Sequence, residues 1–553
     1  MSSTAPNITG DVPRLTAEPV LSGEGEYCGS ASGGQDQQAK TPLESAPSSG
    51  VTQSASNSQL ASLYCAEGNA AMIQGDLDKA AENYKTALRL DSQLTAAWCN
   101  LGNVCARWGR SQDAIALYLQ ALAVDRLHVP SRTNLVQTLI SSRQYPPAKA
   151  FLLELVAERP GDVAIRKELG KLHQELGELD LALACFEEIL AADPQDAESL
   201  YWIGGVKQKA GDLAGANAAY LVAATLQPMI RRPAATLPEF RVLALFAPLV
   251  GNTPSEYLLG GLSFETNTAA VLDGARYDLQ RLRQGGQIVV SLISDADQAG
   301  ALLEQAAELV DGLGLPVINH PSKIAGTTRE AMASRLQGIP HCRIPRIARH
   351  RAETGPAAAR DLAAGFAFPL LVRPAGTHAG TEFELLDSLD AVETFALQHP
   401  GVDLYLIEYA DFRSADGFFR KYRFIFVGGE ILPYHLAVGE DWKLHHDNTR
   451  MAEFPWMQQE EARFLADPGT AFGPAQQEAL RSIGARVDLE YFGIDCGIDR
   501  AGNLVIFEAN ASMLVHRDNQ KFAYKGPFVE KIRTAYEAML RKMVNRGADN
   551  AEI

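Results

Sequence analysis

The sequence predicts a multidomain protein in which an all-helical solenoid precedes a parallel α/β subdomain and a larger α+β domain. Three observations lead to this fold class. The chain has 553 residues, several times the usual domain size of about 100 to 150. A 34-residue period begins at residue 61, and segments rich in Val, Leu and Ile follow it from residue 241.

Composition narrows the functional classes. Fifty Lys and Arg residues against 67 Asp and Glu give a net charge of −17, which opposes broad binding to nucleic acid or anionic lipid. Apolar stretches such as residues 114–124 are shorter than the roughly 18 residues of a membrane span. The first residues lack the basic and apolar regions of a secretory signal. The seven cysteines include no CxxC pair, so we expect reduced thiols and a cytoplasmic protein.

The N-terminal half contains a leader and a repeat array. Residues 1–58 are rich in Ser, Gly and Ala, and we expect them to be disordered. Residues 59–230 contain five repeats, which begin at Ala61, Thr95, Val129, Val163 and Ala197. Position 20 of each repeat is a small residue: Ala80, Ala114, Ala148, Ala182 and Ala216. Position 24 is large and apolar: Tyr84, Tyr118, Leu152, Phe186 and Tyr220. Position 8 is Gly except in the third repeat, which has Val136.

This length and this alternation of small and large residues resemble the tetratricopeptide repeat (TPR) family. Helix pairs of this kind stack into a solenoid because no pair can bury its apolar face alone. The resemblance implies a concave groove that binds a peptide or a partner protein. The alternative is that the aromatic positions serve only the core.

A Pro-punctuated linker is predicted at residues 231–240, followed by a parallel α/β subdomain at 241–325. Residues 242–247 and 287–293 have the continuous apolar character of buried parallel strands. A helix at 299–310 and a short strand at 316–318 complete a right-handed strand–helix–strand unit. The first strand is not followed by GxGxxG, which argues against a dinucleotide-binding fold.

Residues 326–545 are predicted to form the α+β domain. A strand at 368–373 leads into a loop that contains Gly376, Thr377 and Gly380. Such a loop can close over phosphates through its backbone N–H groups, or it can be a simple hairpin turn. A strand at 404–410 contains Glu408, and residues 423–427 and 431–436 form a hairpin around two glycines.

The most informative segment spans residues 492–513. Asp495 is on its first strand, a turn follows at 499–503, and Glu508 and Asn510 end the second strand. Because alternate residues of a strand share a face, Glu508 and Asn510 should point the same way, with Asp495 across the hairpin. Three oxygen ligands of this type suit Mg²⁺. The alternative is a solvated hairpin with incidental acids.

With these motifs, residues 241–545 resemble the ATP-grasp family. The resemblance implies ATP as a ligand and Mg²⁺, or Mn²⁺ in its place, held by Asp495, Glu508 and Asn510. It further implies that Glu408 lies at the hinge against the nucleotide. The loop from Gly376 through Thr377 to Gly380 would then cover the phosphates.

The chain departs from that family at two basic positions. Arg373 and Arg329 stand where most members have phosphate-binding lysines, and Arg keeps the charge while binding phosphate differently. We expect both to bind nucleotide, and we expect Arg373 and Arg423 to act on the transferred phosphoryl group. Lys443, His446 and Asn448 are weaker candidates for substrate contacts. A zinc pair at His445 and His446 lacks a third ligand at a convincing spacing.

The resemblance implies an ATP- and Mg²⁺-dependent carboxylate–amine ligase that acts through an acyl phosphate. The TPR array would recruit a peptide, protein or carrier-bound substrate. The carboxylate and the amine would be small molecules or peptides, and variable loops such as residues 253–268 and 439–451 would select them. A homodimer is expected from the family. The alternative is a non-catalytic TPR adaptor whose ATP-grasp-like domain senses nucleotide or has lost its activity.

Overall fold

The computed structural model describes residues 49–232, 234, 237–254, 256–260, 263–377, 382–444, 449–516 and 520–551. The chain divides into two compact units, with the boundary between Gly211 and Asp212. The disordered leader predicted at residues 1–58 overlaps the first helix, which begins at Ser49. Residues 1–48 lie outside the described residues.

Helices arranged as sequential antiparallel pairs build the N-terminal unit. They are α1 Ser49–Ile73, α2 Leu77–Leu90, α3 Thr95–Arg107, α4 Ser111–Val124, α5 Val129–Ser141, α6 Tyr145–Glu158, α7 Val163–Glu175, α8 Leu179–Ala192 and α9 Ala197–Lys209. The next helix, α10 Leu213–Leu226, follows the unit boundary. Helices α3, α5, α7 and α9 begin at the repeat starts predicted from the sequence. The all-helical solenoid is therefore confirmed.

The repeat pattern has a steric cause. A Cβ atom on Gly102 would lie 2.5 Å from the Tyr118 ring, a distance at which the two groups cannot coexist. Tyr118 is 2 % exposed, so the large residue of one helix fills the space that the glycine of its partner leaves open. In the third repeat the smaller Leu152 replaces the aromatic ring, and this accounts for the tolerance of Val136 at the glycine position.

A largely parallel sheet begins the C-terminal unit. Its strands are β1 Ile230–Arg232, β2 Arg241–Phe246, β3 Glu265–Ala270, β4 Ile288–Ser291 and β5 Val317–Ile318, in the order β1-β3-β2-β4-β5. The helices along this stretch are α11 Glu256–Leu259, α12 Leu279–Arg283, α13 Gly300–Leu313, α14 Pro321–Ala325 and α15 Arg329–Leu336. Strands β3, β2, β4 and β5 are parallel, whereas β1 is antiparallel to β3. The expected parallel strand–helix–strand unit is present.

Two predicted irregular segments contain strand residues. The linker expected at 231–240 begins inside β1, whose residues pair with β3. The loop expected at 253–268 runs into β3, which the polar sequence Glu-Thr-Asn-Thr concealed. Both segments are held in the extended conformation by pairing with a neighbouring strand, and neither has an apolar sequence pattern that would predict a strand.

The rest of the C-terminal unit forms two further sheets. The strands are β6 Cys342–Arg343, β7 Ile347–His350, β8 Leu370–Pro374, β9 Glu384–Leu386, β10 Leu404–Glu408, β11 Phe419–Val427, β12 Glu430–Gly439, β13 Tyr491–Ile498 and β14 Leu504–Asn510. The helices are α16 Pro356–Ala363, α17 Leu389–Gln398, α18 Pro455–Ala466, α19 Pro474–Val487 and α20 Gly526–Ala551, with short 3₁₀ turns at Ala352–Thr354, Pro468–Thr470 and Gln520–Lys525.

The small sheet has the order β7-β10-β8-β9 and is antiparallel throughout. The large sheet has the order β12-β11-β13-β14-β6, with β6 parallel to β14 and the other pairs antiparallel. The parallel sheet and the large sheet share one hydrophobic core, which includes Leu243, Phe424 and Phe492, while the small sheet packs its own core around Leu370 and Phe395. Among the described residues, the structure contains no helix with the length and apolar character that crossing a membrane requires.

Candidate functional site

A row of polar side chains crosses one face of the large sheet. His435 on β12 pairs in register with Arg423 on β11, Arg423 with Asp495 on β13, and Asp495 with Glu508 on β14. Directly opposed residues of antiparallel strands present their side chains on the same face. The register therefore places Asp495 across the hairpin from Glu508, as the sequence pattern predicted.

Asp495 is held by basic side chains. Arg423 donates from Nε and Nη2 to the two carboxylate oxygens at 2.6 and 2.9 Å, and Lys421 Nζ lies 3.4 Å from Oδ2. Burial of Asp495 favours its neutral form, but the charges of Arg423 and Lys421 outweigh this effect and hold its pKa below the ordinary value. Asp495 therefore stays ionised as part of a compact charge cluster.

Glu508 and Asn510 end β14 and are joined to Arg329 at the first turn of α15. Arg329 donates to Glu508 Oε1 at 2.6 Å, and Asn510 Nδ2 donates to the same oxygen at 2.6 Å. The Asn510 amide oxygen accepts from the backbone N–H of Ser512 at 3.0 Å. These contacts confirm that Glu508 and Asn510 share a face and bring Arg329 to them from a distant part of the chain.

A second polar row crosses the small sheet. Tyr405 on β10 lies between Arg349 on β7 and Arg373 on β8, in register with both. Arg349 forms ion pairs with Asp297 at 2.7 Å and Asp403 at 2.9 Å, and the Tyr405 hydroxyl donates to Asp297 at 2.6 Å. Burial, together with the adjacent Asp297, raises the pKa of Tyr405. This hydroxyl therefore remains protonated as a donor.

Arg373 differs from Arg349 in its partners. It is 5 % exposed, and within the described part of the chain its guanidinium donates hydrogen bonds only to the hydroxyl and carbonyl of Thr377. Its guanidinium carbon also lies 5.4 Å from the ring centroid of Phe383. Burial and the nearby positive charge of Arg329 lower the pKa of Arg373 to about 9. A buried cation with neutral partners is an unusual arrangement that an anionic ligand would stabilise.

Glu508, at one end of the first row, lines a cleft, and the second row is joined to that cleft through the contacts of Arg349 with Asp297 and of Arg373 with Thr377. The walls of the cleft come from the loop after β4, the start of α15, the loop after β8 and the end of β14. The polar or charged residues along it include Ser294, Asp295, Asp297, Thr328, Arg329, Thr377, Glu508 and Asn510. Gly376 also lines the cleft; its φ of 72° is accessible mainly to glycine, and its carbonyl accepts from Gln298 Nε2 at 2.6 Å.

Several predicted site residues are placed elsewhere or outside the described residues. Glu408 forms an ion pair with Arg343 at 2.7 Å. It is not among the described residues that line the cleft. Lys443 donates to the carbonyl of Phe383 at 2.9 Å. Gly380, His445, His446 and Asn448 lie outside the described residues.

Other residues near the cleft were not singled out from the sequence. Arg349 and Tyr405 join the site only through strand register, and a single sequence carries no signal for that pairing. Asp297 did carry a signal, because it follows a parallel strand and ligand sites form at the carboxyl ends of such strands. Lys421 belongs to a basic cluster with Arg420 and Arg423 from which the sequence favoured Arg423 alone, although strand alternation places Lys421 and Arg423 on one face.

A buried cluster lies beside the far end of the row across the large sheet. Glu461 on α18 is fully buried and its Oε1 lies 2.5 Å from His435 Nδ1, while Tyr524 donates to its Oε2 at 2.5 Å. Lys525 Nζ is 3.2 Å from Glu461 Oε1. Burial works against ionisation of Glu461, but these partners overcome it and lower its pKa to about 2. The cluster ties α18, β12 and the segment before α20 together.

The comparisons with known proteins bear on the N-terminal part. A family model described as TPR repeat matches residues 68–109, and two described as tetratricopeptide repeat match 95–126 and 139–202. No curated protein matches the chain.

Solved structures also resemble the chain. YrrB, described as a TPR protein with an unusual peptide-binding site, is 24 % identical, with a TM-score of 0.28, over 33 % of this chain and 93 % of that chain. MamA from Desulfovibrio magneticus RS-1 is 19 % identical, with a TM-score of 0.28, over 30 % of this chain and 94 % of that chain. PilF from Pseudomonas aeruginosa is 20 % identical, with a TM-score of 0.27, over 31 % and 78 %.

Proposed function

We propose that this chain, whose N-terminal part contains tetratricopeptide repeats, is an ATP- and Mg²⁺-dependent carboxylate–amine ligase of the ATP-grasp kind. The observation that carries the proposal is Arg373, a buried guanidinium beside a cleft with only Thr377 as its described hydrogen-bond partner. Arg329 enters the same cleft from α15. Arg329 and Arg373 repel each other, and among the described residues Arg373 forms no ion pair. Two guanidinium groups of this kind suit a phosphate chain.

The acidic side of the site suits a magnesium ion. Glu508 and Asn510 line the cleft and carry carboxylate and amide oxygens, and Asp495 lies opposite Glu508 on the neighbouring strand. Hard oxygen donors of this type are those that Mg²⁺ prefers. These three residues would hold the ion. When bound, it would neutralise the charge of the phosphate oxygens and make the phosphorus atom bonded to them more electrophilic.

The chemistry needs no side-chain nucleophile. An oxygen of the carboxylate substrate attacks the γ-phosphorus of ATP as the bond to ADP breaks, which yields an acyl phosphate. An amine then attacks the acyl carbon, phosphate leaves with the electron pair of the broken C–O bond, and the amine proton passes to solvent. The chain's own part is to hold the reactants in line and to offset charge on the transferred group with Arg329, Arg373 and Arg423.

The helical repeats would recruit a peptide or protein. Asn69 Oδ1 accepts from the Tyr84 hydroxyl at 2.8 Å and from Asn100 Nδ2 at 2.9 Å. The next repeat has the same arrangement around Asn103, with Tyr118 and Asn134 as donors at 2.8 and 2.7 Å. Asn69 and Asn103 are both half-buried. Because their amide oxygens are already hydrogen-bonded, their amide N–H groups, one repeat apart, are the groups left to donate to a ligand. Regularly placed donors of this kind suit the carbonyl groups of an extended peptide.

Calorimetric titration of the full chain with a non-hydrolysable ATP analogue and Mg²⁺ tests the nucleotide site. We expect the wild type to bind the analogue and Glu508→Ala to lose most of the affinity. The control is Glu430→Ala, which changes an exposed acid on the same sheet and should keep the wild-type affinity. Absence of binding by the wild type, or equal binding by Glu508→Ala, would contradict the proposal.

A second candidate function is a non-catalytic TPR adaptor with a nucleotide-sensing domain. The favouring observation is that both Asp495 oxygens are already engaged by Arg423, with Lys421 beside them, an arrangement that is stable without a metal ion. ADP release from ATP in the presence of amino acids and peptides separates the two candidates. Acceptor-dependent turnover would exclude the adaptor, whereas nucleotide binding without turnover for any acceptor would favour it.

A further inference from the structure

The row of polar side chains across the large sheet leads away from the cleft. Glu508 lines the cleft, and Asp495, Arg423 and His435 follow it on successive strands. Neighbouring strands lie about 4.8 Å apart, which places His435 about 10 Å from Asp495 along the sheet. In the proposed reaction ATP occupies the cleft and Arg423 acts on the transferred phosphoryl group. The amine would then approach from the side of His435, opposite the nucleotide.

The contacts of His435 determine which of its ring nitrogens carries the proton. Nδ1 lies 2.5 Å from Glu461 Oε1, and Lys525 Nζ lies 3.2 Å from the same oxygen. The pKa of Glu461 is lowered to about 2, so its carboxylate is ionised at neutral pH and can only accept hydrogen bonds. An Nδ1 without a proton would place two acceptors in contact. Nδ1 therefore donates to Glu461, and Nε2 is the nitrogen with the free lone pair.

The second ring nitrogen lacks a partner. His435 Nε2 is buried and forms no hydrogen bond with any described residue. Burial and the positive charges of Lys525 and Arg423 outweigh the effect of Glu461 and lower the pKa of His435, so the ring is neutral and Nε2 can accept a proton. Buried polar groups without a partner are rare, and a catalytic role is one reason for them. The hydrogen bonds of catalytic groups are often completed only when substrate is bound.

Glu461 holds the imidazole ring in place. Its Oε1 also accepts from the backbone N–H of Leu436 at 3.1 Å, and its Oε2 accepts from the Tyr524 hydroxyl at 2.5 Å. The carboxylate is fully buried, so these contacts fix it from several elements. A buried carboxylate on one imidazole nitrogen, with the other nitrogen free, is the arrangement of a general base in acyl transfer.

We propose that His435 is the general base that deprotonates the amine, with Glu461 as the positioning residue that orients its ring. This inference rests on the proposed function, because it assigns the proton of the second step. The amine nitrogen forms a bond to the acyl carbon, and phosphate leaves with the electron pair of the broken C–O bond. One N–H bond of the amine breaks as its proton passes to His435 Nε2, and the imidazolium then releases that proton to solvent.

The test uses the full chain with ATP and Mg²⁺ in two arms. In the first arm, the standard amino acids and a set of dipeptides are screened individually, and ADP release reports their use as carboxylate and amine. In the second arm, the same compounds are screened with hydroxylamine, and the coloured ferric hydroxamate reports capture of the acyl phosphate. Hydroxylamine is uncharged at neutral pH and attacks acyl phosphates without a general base. The second arm therefore bypasses the step assigned to His435.

His435→Gln is the test variant, and His350→Gln is its matched control. His350, on β7, is 5 % exposed and also has a buried ring nitrogen without a described partner, but it belongs to neither polar row. We expect His435→Gln to lose roughly 10²-fold or more of the amine-dependent ADP release and to keep the wild-type yield of hydroxamate. Glu461→Gln, which retains the shape of the side chain, should show the same selective loss, and His350→Gln should lose neither activity.

The outcomes separate this inference from the proposed function. A purely structural role for His435 would lower both arms equally, and that result overturns the inference while the ligase chemistry stands. Unchanged amine-dependent ADP release in His435→Gln overturns it in the same way. If the wild type forms no hydroxamate and releases no ADP with any of the compounds, the proposed function and this inference fail together.

Discussion

Replacing Arg373 by Met should leave the protein as stable as the wild type or more stable, while removing nucleotide binding. Because the pKa of the buried Arg373 is lowered to about 9 from the ordinary guanidinium value, the folded state disfavours its charge by at most roughly 5 kcal/mol at neutral pH. The cost is fully present below pH 9, where the group is charged in both states. It is relieved only as the pH rises through the folded pKa.

Interactions that the substitution removes offset part of this gain. The contact with the Phe383 ring is worth about 0.5 to 2 kcal/mol, and the hydrogen bonds to Thr377 about 1 kcal/mol each. Thr377 is itself partly exposed, so water can replace the lost donors. The net change in the free energy of unfolding is therefore expected to lie between about zero and 3 kcal/mol in favour of Arg373→Met.

Although Arg373→Met should not reduce stability, it should weaken nucleotide binding. Two charge-assisted hydrogen bonds from a guanidinium to phosphate are worth about 3 to 5 kcal/mol, which corresponds to a loss of roughly 10² to 10⁴ in affinity. Scanning calorimetry of the full chain measures the stability, and titration with the ATP analogue and Mg²⁺ measures the affinity.

Arg349→Met is the matched control, because Arg349 flanks the same Tyr405 on the other side. It has acidic partners, Asp297 and Asp403 among them, and its loss should destabilise the fold by about 3 to 5 kcal/mol by leaving buried carboxylates unpaired. The reasoning about Arg373 is refuted if Arg373→Met unfolds as readily as Arg349→Met, or if it retains wild-type nucleotide affinity.

Two further predictions concern the folds of the two units. Gly102→Ala would push a Cβ into the Tyr118 ring and should lower the free energy of unfolding of the helical unit by about 1 to 3 kcal/mol. Gly161→Ala, whose Cβ would meet open space, should have little effect. Equal melting temperatures of the two variants would contradict the steric account. Because the pKa of Glu461 is lowered to about 2 from an ordinary 4.5, its contribution of about 3 kcal/mol is present above pH 4.5 and is lost as the pH falls towards 2. Melting temperatures from pH 6 to pH 3 should fall less steeply for Glu461→Gln than for the wild type, and identical slopes would refute this.

Patterns with a local cause were predictable from the sequence. The helix starts at Thr95 and Val129 follow from a periodic need for small and large residues at fixed positions of each pair. The hairpin that sets Asp495 opposite Glu508 was predictable because strand alternation and the turn at 499–503 determine register over a short distance. The strand β3 was missed because its polar residues become regular only between β1 and β2.

The sequence by itself determined the repeat array, the positions of most strands along the chain and the residue types that can bind phosphate and magnesium. The tertiary structure decided which of those residues share a site, since Arg329 reaches Glu508 across 179 positions of the chain and Arg349 meets Arg373 only through the strand between them. It also decided that Arg373 has neutral described partners while Arg349 is paired with acids. Local patterns depend on short-range sterics, which a sequence displays, whereas the charge balance of a site depends on which distant strands pack together.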